Sequence, residues 1–461
     1  MLTPDQCRQA RLSRDARFDG LFFTAVKSTG IYCRPVCPAR APREEHVEYF
    51  PSAMTALAAG YRPCLRCRPD SAPGSAAWQG TDTTLQRALR LIDEGALQQQ
   101  TLAELTDRLG ISERYLRKLF QQQLGISPKQ YALTQQVLFA KKLLHETSKP
   151  VSQVADMAGF NSVRRFNDAF AKTLHIAPGK IRRQPAATAD GLIRLELSYR
   201  PPFAWDTMLS FWQQRALNGV EWCTERSYGR TFEWHQQQGW FTVQAGTQHT
   251  LQLLLHWPAG KELWSLVKHI RRILDLDADC HLIEQQLLAH PWFRHGITSG
   301  LRIPGIWSLW EAGVRAILGQ QVSVAAARTH LNRLVMALGS PIAASADKIV
   351  FPSPAAITGS DLQMLKLPDA RRQTLRAFAR LMQEQPDCPP EQWLAVKGIG
   401  PWTVNYARMR GQQNSDIWLA GDLGIRKAMQ QQSSVASDAA LAPWRSYATL
   451  QLWLQQGTSN E

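Results

Sequence analysis

Residues 393–429, WLAVKGIGPWTVNYARMRGQQNSDIWLAGDLGIRKAM, decide how the carboxyl-terminal part of the chain folds. Gly398 and Gly400 allow a sharp turn between two helical segments, and Pro401 is preset for the first position of the second helix. The free N–H groups at that helix end favour a phosphate. A plain corner between two helices explains the same pattern, so the turn alone leaves both interpretations open.

Asp422 follows Trp402 by twenty residues and directly precedes an apolar-periodic segment, LGIRKAM. With this acid, the stretch resembles the helix-hairpin-helix DNA glycosylases, specifically the AlkA-type 3-methyladenine glycosylases. The segments that carry the resemblance are VKGIGPWTVNYARMRG, GDLGIRK and the later PWRSYATLQLW. The resemblance implies that Gly398 and Gly400 grip a DNA phosphate and that Asp422 drives loss of the damaged base.

The rest of the second half extends this resemblance. Alternation in LIRLELSY predicts a strand from Leu192, and two further strand-like stretches predict an α/β subdomain to about residue 260. From there to the end the pattern is helical. RPPFAWDTMLSF and GVRAILGQQVSVAAA also resemble AlkA-type glycosylases. We therefore expect the α/β subdomain over residues 192–270 and the helix-hairpin-helix glycosylase domain over residues 271–461.

The resemblance also implies a surface for the extruded base, because a glycosylase must flip its nucleotide and hold the base by stacking. The candidates for that surface are Phe211, Trp402, Tyr406 and Trp453. Gln321 falls where the family inserts a side chain into the stack that the base has left. A single aromatic residue is more often part of the core, which is what we expect of Trp205 and Trp444.

Cleavage of the DNA strand requires a further group. Bifunctional helix-hairpin-helix enzymes carry a lysine that attacks the sugar, and its place just after the hairpin is held here by Trp402. Tryptophan has no amine with which to form a Schiff base, and Lys397 and Lys427 lie elsewhere. The sequence therefore predicts a monofunctional enzyme that leaves an intact abasic strand.

Four of the eight cysteines are grouped as two pairs, Cys33-x3-Cys37 and Cys64-x2-Cys67, with 26 residues between the pairs. This spacing is typical of a tetrahedral zinc site, and a pair of disulfides is the weaker competing interpretation. The surrounding arginines are suited to offset the negative charge of such a site or to hold DNA phosphates. They are Arg34, Arg40, Arg43, Arg62, Arg66 and Arg68.

STGIYCRPVCPAR and ALAAGYRPCLRCRPD resemble the N-terminal domain of Ada-type adaptive-response proteins over most of this segment. The resemblance implies that the first zinc cysteine, Cys33, accepts a methyl group from a methyl phosphotriester in DNA. Zinc holds a thiol as the nucleophilic thiolate, and methylation would change the formal charge of a four-thiolate zinc centre from −2 to −1. A zinc site that only folds a small domain is the alternative.

Residues 83–185 contain an internal duplication. Each copy has an apolar stripe, a glycine turn and a second helix that begins at a serine: Gly110 and Ser112, then Gly159 and Ser162. The segment resembles the AraC-family DNA-binding domain, which implies two helix-turn-helix units in successive major grooves. The DNA-binding candidates are Arg114, Arg117, Arg164 and Arg165, and the expected core aromatics are Phe120, Phe166 and Phe170. A helical bundle with solvated arginines is the other interpretation.

The charge of the chain is strongly basic and uneven. Lysine and arginine number 53 against 38 aspartates and glutamates, a net charge of +15, and the first 185 residues carry 27 basic against 16 acidic residues. A basic front half indicates nucleic acid as a partner. The start lacks an apolar signal core, and no run approaches 18 apolar residues, so we expect a soluble cytoplasmic protein with no membrane partner.

The combined expectation is a multidomain α+β protein with a zinc domain over residues 1–75, an all-α tandem helix-turn-helix domain over 83–185 and the two glycosylase parts. Polar linkers are expected at 70–84 and 184–191. The protein would bind Zn²⁺ and hydrolyse the N-glycosidic bond of alkylated purines such as 3-methyladenine. Expected partners are alkylated and promoter double-stranded DNA, and RNA polymerase, with a monomeric state. The alternatives are a pure methylation-responsive regulator, and a glycosylase whose front half merely adds affinity.

Overall fold

The structure of the chain is a computed structural model. It describes residues 2–15, 18, 21–37, 39–64, 67, 69, 83–93, 95–181, 192–258, 260, 262–343, 345–431 and 436–458. Arg66, Arg68, the second expected linker and most of the first lie outside these residues. The chain divides into two units, residues 1–200 with 257–271 and residues 201–256 with 272–461. No helix in the described ranges is long and apolar enough to cross a membrane.

The first unit begins with a small sheet and continues as helices. Its elements are α1 (Pro4–Ser13), β1 (Phe23–Val26), β2 (Ile31–Cys33), β3 (Val47–Phe50), α2 (Ala53–Ala58), β4 (Arg62–Pro63), α3 (Thr83–Asp93), α4 (Ala96–Gln99), α5 (Leu102–Leu109), α6 (Glu113–Leu124), α7 (Pro128–Glu146), α8 (Val151–Met157), α9 (Val163–Leu174) and β5 (Leu192–Ser198). The sheet order is β3-β1-β2-β4, and β2 and β4 are parallel. The N–H of Cys64 donates to the carbonyl of Tyr32 at 2.9 Å, so Cys64 lies beside the end of β2, which is Cys33.

Two helix pairs, α5–α6 and α8–α9, confirm the duplicated helix-turn-helix pattern. Gly110 ends α5 with φ +69°, and the hydroxyl of Ser112 caps α6 by accepting from the N–H of Tyr115 at 3.3 Å. The hydroxyl of Ser162 caps α9 by accepting from the N–H of Arg165 at 3.2 Å. Phe120, Phe166 and Phe170 are buried in this region, as the sequence predicts.

The second unit combines an antiparallel sheet with a helical part. The remaining elements of the chain are α10 (Trp205–Gln213), β6 (Glu221–Cys223), β7 (Ser227–Trp234), β8 (Gln237–Ala245), β9 (Thr250–His256), α11 (Leu263–Ile273), α12 (Cys280–Ala289), α13 (Leu309–Gly319), α14 (Val324–Leu338), β10 (Ser340–Ile342), β11 (Ser345–Val350), α15 (Pro354–Thr358), α16 (Asp369–Glu384), α17 (Pro401–Gly411), α18 (Leu423–Gln430) and α19 (Arg445–Thr458). Residues 263–271 of α11 belong to the first unit. Strands of the second unit follow the order β9-β8-β7-β6, each antiparallel to the next.

A short hairpin, β10–β11, interrupts the helical part, so the expectation of helices alone after about residue 260 is wrong. Its pairing depends on contacts with residues far away in sequence. The N–H of Ile349 donates to the carbonyl of Gly219 at 2.8 Å, and the hydroxyl of Thr231 donates to the carbonyl of Ile349 at 2.6 Å. Strands this short carry too little periodicity to be recognised in the sequence.

A buried ion network joins α13 to the sheet of the second unit. Glu311, which is 1% exposed, accepts from Arg230 and Arg315, each at 2.7 Å. Arg315 also contacts Glu221 at 2.6 Å. Each buried charge has at least one opposite charge beside it, which offsets the cost of removing it from water. The network therefore fixes the helix that leads to Gln321.

Glu311→Gln is expected to lower the free energy of unfolding by about 3 kcal/mol, because it leaves two buried guanidinium groups without one carboxylate partner. Urea unfolding of the full chain, followed by tryptophan fluorescence, measures this loss. The matched control is Glu391→Gln, which removes an exposed partner of Arg408 at 3.2 Å. That change should cost less than about 1 kcal/mol, and equal losses in the two variants would contradict the prediction.

Candidate functional site

Asp422 caps helix α18, and four N–H groups hold its carboxylate. Its Oδ1 accepts from the backbone N–H groups of Gly424 at 2.9 Å and Ile425 at 3.2 Å. The indole N–H of Trp453 donates to the same oxygen at 3.0 Å, and that of Trp402 donates to Oδ2 at 3.1 Å. Because the donors come from α17, α18 and α19, the packing of three helices determines the direction of the carboxylate.

A row of side chains along one face of α17 continues from Asp422. The ring of Trp402 stacks on that of Tyr406, with centroids 5.3 Å apart and planes 27° apart. The Tyr406 hydroxyl accepts from Arg410, whose guanidinium lies 5.1 Å from the ring centroid of Phe211. These residues and Trp453 form one connected group, called the Asp422 cluster below. The structure thus brings the predicted acid and the four predicted aromatic residues together.

Two arginines of this cluster are absent from the residues predicted from the sequence. Arg410 lies on α17 one turn beyond Tyr406, and Arg215 places its guanidinium 3.7 Å from the ring centroid of Phe211. Arg410 follows Tyr406 by four residues on α17, a spacing that puts side chains on the same face of a helix, and Arg215 follows Phe211 by four residues just beyond the end of α10. This four-residue spacing from an aromatic residue is the sequence signal that could have identified them.

The turn that precedes α17 requires glycine at one of its two glycine positions. Gly398 has φ +93°, and a Cβ there would lie 2.3 Å from the Thr374 hydroxyl, so no larger residue fits. Gly400 caps α17 with φ −113°, and a Cβ there would meet no atom within 4 Å. Pro401 holds the first helical position, as predicted. The segment before the turn is a 3-10 helix, Pro390–Ala395, and not a longer α-helix.

Gln321 lies in the turn between α13 and α14 and is exposed, with φ +57°. This left-handed conformation is uncommon for a residue other than glycine. The preceding side chain, Gln320, donates from Nε2 to the carbonyl of Gly398 at 3.0 Å and to the hydroxyl of Thr403 at 2.9 Å. Gln320 therefore joins the Gln321 turn to the hairpin. Sequence spacing contained no sign of this contact.

The four grouped cysteines come together. The sulfur atoms of Cys33, Cys37, Cys64 and Cys67 all lie within 4.8 Å of one another, and each is a free thiol. Sulfur atoms bound to a tetrahedral zinc ion at about 2.3 Å lie about 3.8 Å apart, so the donor set fits that metal. The disulfide interpretation does not hold for this arrangement.

The four thiols influence one another strongly. The hydrogen bond with Cys33 lowers the pKa of Cys37 to about 7, whereas hydrogen bonds with Cys33, Cys37 and Cys64 raise the pKa of Cys67 well above its usual range. Protein groups alone therefore favour a mixture of thiols and thiolates. A divalent cation supplies the charge that allows all four to be thiolates, which is the form that binds zinc.

The predicted DNA-binding arginines fall into two groups. Arg114 and Arg117 on α6, and Arg164 and Arg165 on α9, are exposed. Arg117 also pairs with Glu113 of its own helix at 2.7 Å. Arg34 is half-buried instead, and its backbone N–H donates to the sulfur of Cys67 at 3.3 Å while Nη1 donates to the Cys67 carbonyl at 3.4 Å. Arg34 therefore belongs to the surroundings of the cysteine cluster.

Three domain families match consecutive parts of the chain. The metal binding domain of Ada matches residues 6–70, a helix-turn-helix domain matches residues 105–184, and the AlkA N-terminal domain matches residues 194–308. With the four-cysteine cluster, the first match identifies Zn²⁺ as the metal of this protein.

Relatives of known name share this organisation in whole or in part. A probable bifunctional transcriptional activator/DNA repair enzyme AlkA from Mycobacterium tuberculosis is 36% identical over 475 residues, which covers 97% of this chain and 96% of the relative. DNA-3-methyladenine glycosylase 2 from Escherichia coli is 31% identical and covers 57% of this chain and 97% of itself. The bifunctional transcriptional activator/DNA repair enzyme Ada from Escherichia coli is 38% identical over 34% of this chain and 43% of itself. The chain therefore belongs to the family of bifunctional transcriptional activator/DNA repair enzymes AlkA, in which an Ada-type zinc domain and a helix-turn-helix region are fused to a DNA glycosylase.

Proposed function

We propose that this protein releases alkylated purines, 3-methyladenine among them, by hydrolysing the N-glycosidic bond in DNA. The observation that carries the proposal is the carboxylate of Asp422, held by four N–H groups beside the stacked rings of Trp402 and Tyr406. Stacked rings suit an extruded base, and a fixed carboxylate suits a developing positive charge. An alkylated purine is already a good leaving group, so this site has no need of a strong acid.

The two carboxylate oxygens of Asp422 differ in the number of hydrogen bonds that they accept from the protein. When the glycosidic bond breaks, the electron pair leaves with the purine and the sugar gains positive charge, which Asp422 stabilises. Oδ1 accepts three hydrogen bonds from the protein and Oδ2 accepts one. Oδ2 therefore has the greater remaining capacity to accept a hydrogen bond, and it would orient the attacking water. The products are the free base and an abasic strand, and the proton of the water passes to solvent.

Other parts of the second unit support the handling of DNA. Gly400 leaves the start of α17 without a side chain, so a phosphate can approach the free N–H groups there. Gln321 would enter the stack after the base has left, and its exposure and left-handed turn support this role. In the first unit, the exposed arginines of α6 and α9 would contact DNA from the two helix-turn-helix units.

The cysteine cluster would supply the second activity, with Cys33 as the methyl acceptor. The sulfur of Cys33 would attack the methyl carbon of a phosphotriester, and the phosphate oxygen would leave with the electron pair of the broken bond. Cys33 and Cys37 are partly exposed, whereas Cys64 and Cys67 are buried. Loss of one negative charge at the zinc centre would then strengthen binding to promoter DNA. This protein would act as a monomer and would recruit RNA polymerase to the promoter.

Strand cleavage is not expected to accompany base release, because Trp402 holds the place of the lysine that attacks the sugar. The test incubates the protein with methylated duplex DNA and borohydride, and then measures free base and covalent protein–DNA adduct. The expected result is free base, no adduct, and strand breaks only after alkaline treatment. An adduct would contradict the claim that the enzyme is monofunctional, and absence of any released base would leave a regulator that only binds DNA.

A further inference from the structure

Arg215 and Arg410 place two positive charges against Phe211 in the Asp422 cluster. The Arg215 guanidinium lies 3.7 Å and the Arg410 guanidinium 5.1 Å from the centroid of the same ring. In the described part of the chain, neither forms an ion pair with a carboxylate; their hydrogen-bond acceptors are neutral. Arg230 and Arg315 are different in this respect, because the buried carboxylates of Glu311 and Glu221 neutralise their charges.

The contacts of the two arginines show how each can be changed. Arg410 is 4% exposed, and its Nε donates to the carbonyl of Pro304 at 2.8 Å, so it also supports the fold. Within the described part of the chain, the Arg215 side chain donates to the carbonyl of Phe211 at 3.2 Å and to the amide oxygen of Gln214 at 3.3 Å, both in its own turn. Burial and the nearby Arg410 lower the pKa of Arg215 to about 10, and it stays charged at neutral pH.

We propose that Arg215, together with Arg410, is a specificity-determining residue that allows the enzyme to release damaged purines without a positive charge as well as cationic alkylated ones. The inference rests on the proposed glycosylase function, in which Phe211 is one face of the base site. It concerns the charge of the base and not its shape.

The charge of the departing base explains this role. A purine alkylated at ring nitrogen N3 or N7 carries a positive charge in DNA and leaves as a neutral base. A damaged purine that is neutral in DNA leaves as an anion, which then takes a proton from water. In both cases the base loses one unit of positive charge when the electron pair of the glycosidic bond moves onto it. An unneutralised guanidinium beside the base favours that loss equally for the two substrates.

Binding separates the two substrates. The same guanidinium repels a cationic base before the bond breaks, but it does not repel a neutral one. For a cationic base, the faster bond cleavage is therefore offset by weaker binding. For a neutral base, nothing offsets the gain. Measured from free enzyme and DNA to the transition state, the arginines therefore lower the barrier mainly for neutral damaged bases.

Single-turnover release from duplexes that carry one 7-methylguanine (cationic) or one hypoxanthine (neutral) tests this, with the full chain in excess. In Arg215→Gln, we expect the maximal rate to fall about tenfold for both bases, as removal of one nearby charge would cause. The half-saturating enzyme concentration should fall for 7-methylguanine only. The ratio of maximal rate to half-saturating concentration should then fall about tenfold for hypoxanthine and less than about threefold for 7-methylguanine.

Two further variants make the result decisive. Arg215→Lys keeps the charge and should keep the preference of the wild-type chain. Arg328→Gln removes an exposed cation whose Nη1 donates to the carbonyls of Gln213 and Gln214 in the same turn, and any loss should be equal for the two bases. If Arg215→Gln lowers the ratio of maximal rate to half-saturating concentration equally for the two bases, the inference is overturned, as it would be by a wild-type chain that releases 7-methylguanine but no hypoxanthine. A wild-type chain that releases neither base would refute the proposed function itself.

Discussion

Asp422→Asn is expected to release alkylated purines about 100-fold to 1,000-fold more slowly than the wild-type chain, the usual effect of removing one preorganised electrostatic group. Asparagine keeps a side-chain oxygen that can accept from the N–H groups of Gly424 and Ile425, so the cap of α18 persists. The negative charge beside the sugar is lost. DNA affinity should change little, because the hairpin and the Gln321 turn are untouched.

Single-turnover release of base from methylated duplex DNA measures the rate, and a gel-shift titration measures DNA affinity. Asp361→Asn provides a matched control, since Asp361 is exposed and accepts from the backbone N–H of Gln363 at 3.0 Å outside the Asp422 cluster. Its rate should stay within about twofold of wild type, as is usual for exposed substitutions. Near-normal release by Asp422→Asn would remove Asp422 from the mechanism.

Cys33→Ser is expected to abolish methyl transfer from methyl phosphotriester DNA, because a serine hydroxyl is not ionised at neutral pH and is a poor nucleophile. In the wild-type chain, peptide mass mapping should find one methyl group, on the peptide that contains Cys33. In the variant, it should find none. Base release by the variant should remain near normal, since the Asp422 cluster lies in the other unit.

Cys37→Ser separates loss of the nucleophile from damage to the zinc site, because it also removes one ligand but keeps the thiol of Cys33. Metal analysis should show weakened zinc binding in both variants. Any residual methylation in Cys37→Ser should be on Cys33. A methyl group on Cys37, Cys64 or Cys67 of the wild-type protein would assign the acceptor role to another cysteine.

Features of the site that depend on neighbouring residues could be predicted from the sequence. Pro401 is acceptable at the start of a helix and Asp422 is a strong cap before an apolar segment, and the structure has both in those positions. The cysteine cluster is a similar case, because two short spacings already bring each pair together. The serine caps of α6 and α9 follow the same local chemistry.

Features that depend on packing between distant segments could not be predicted. Trp402 and Trp453 were expected to be faces for the base, and nothing in their spacing indicated that their indole N–H groups bind Asp422. That contact requires α17, α18 and α19 to pack together. Likewise, Trp205 and Trp444 were expected in the core but are only half-buried. Residue type alone does not determine the burial of one tryptophan among sixteen.

The two hydrogen bonds of Gln320 have a mechanical consequence. They fasten the Gln321 turn to the hairpin, so the point proposed to hold a phosphate and the point proposed to enter the duplex keep a constant separation. The hairpin and the Gln321 turn would then act as one rigid unit, and the DNA would have to bend or open to contact both. Sites weakened by a poorly stacked or poorly paired base deform at lower cost. A damaged site would therefore be recognised first by the low energy needed to deform the double helix there, before the altered base contacts the protein.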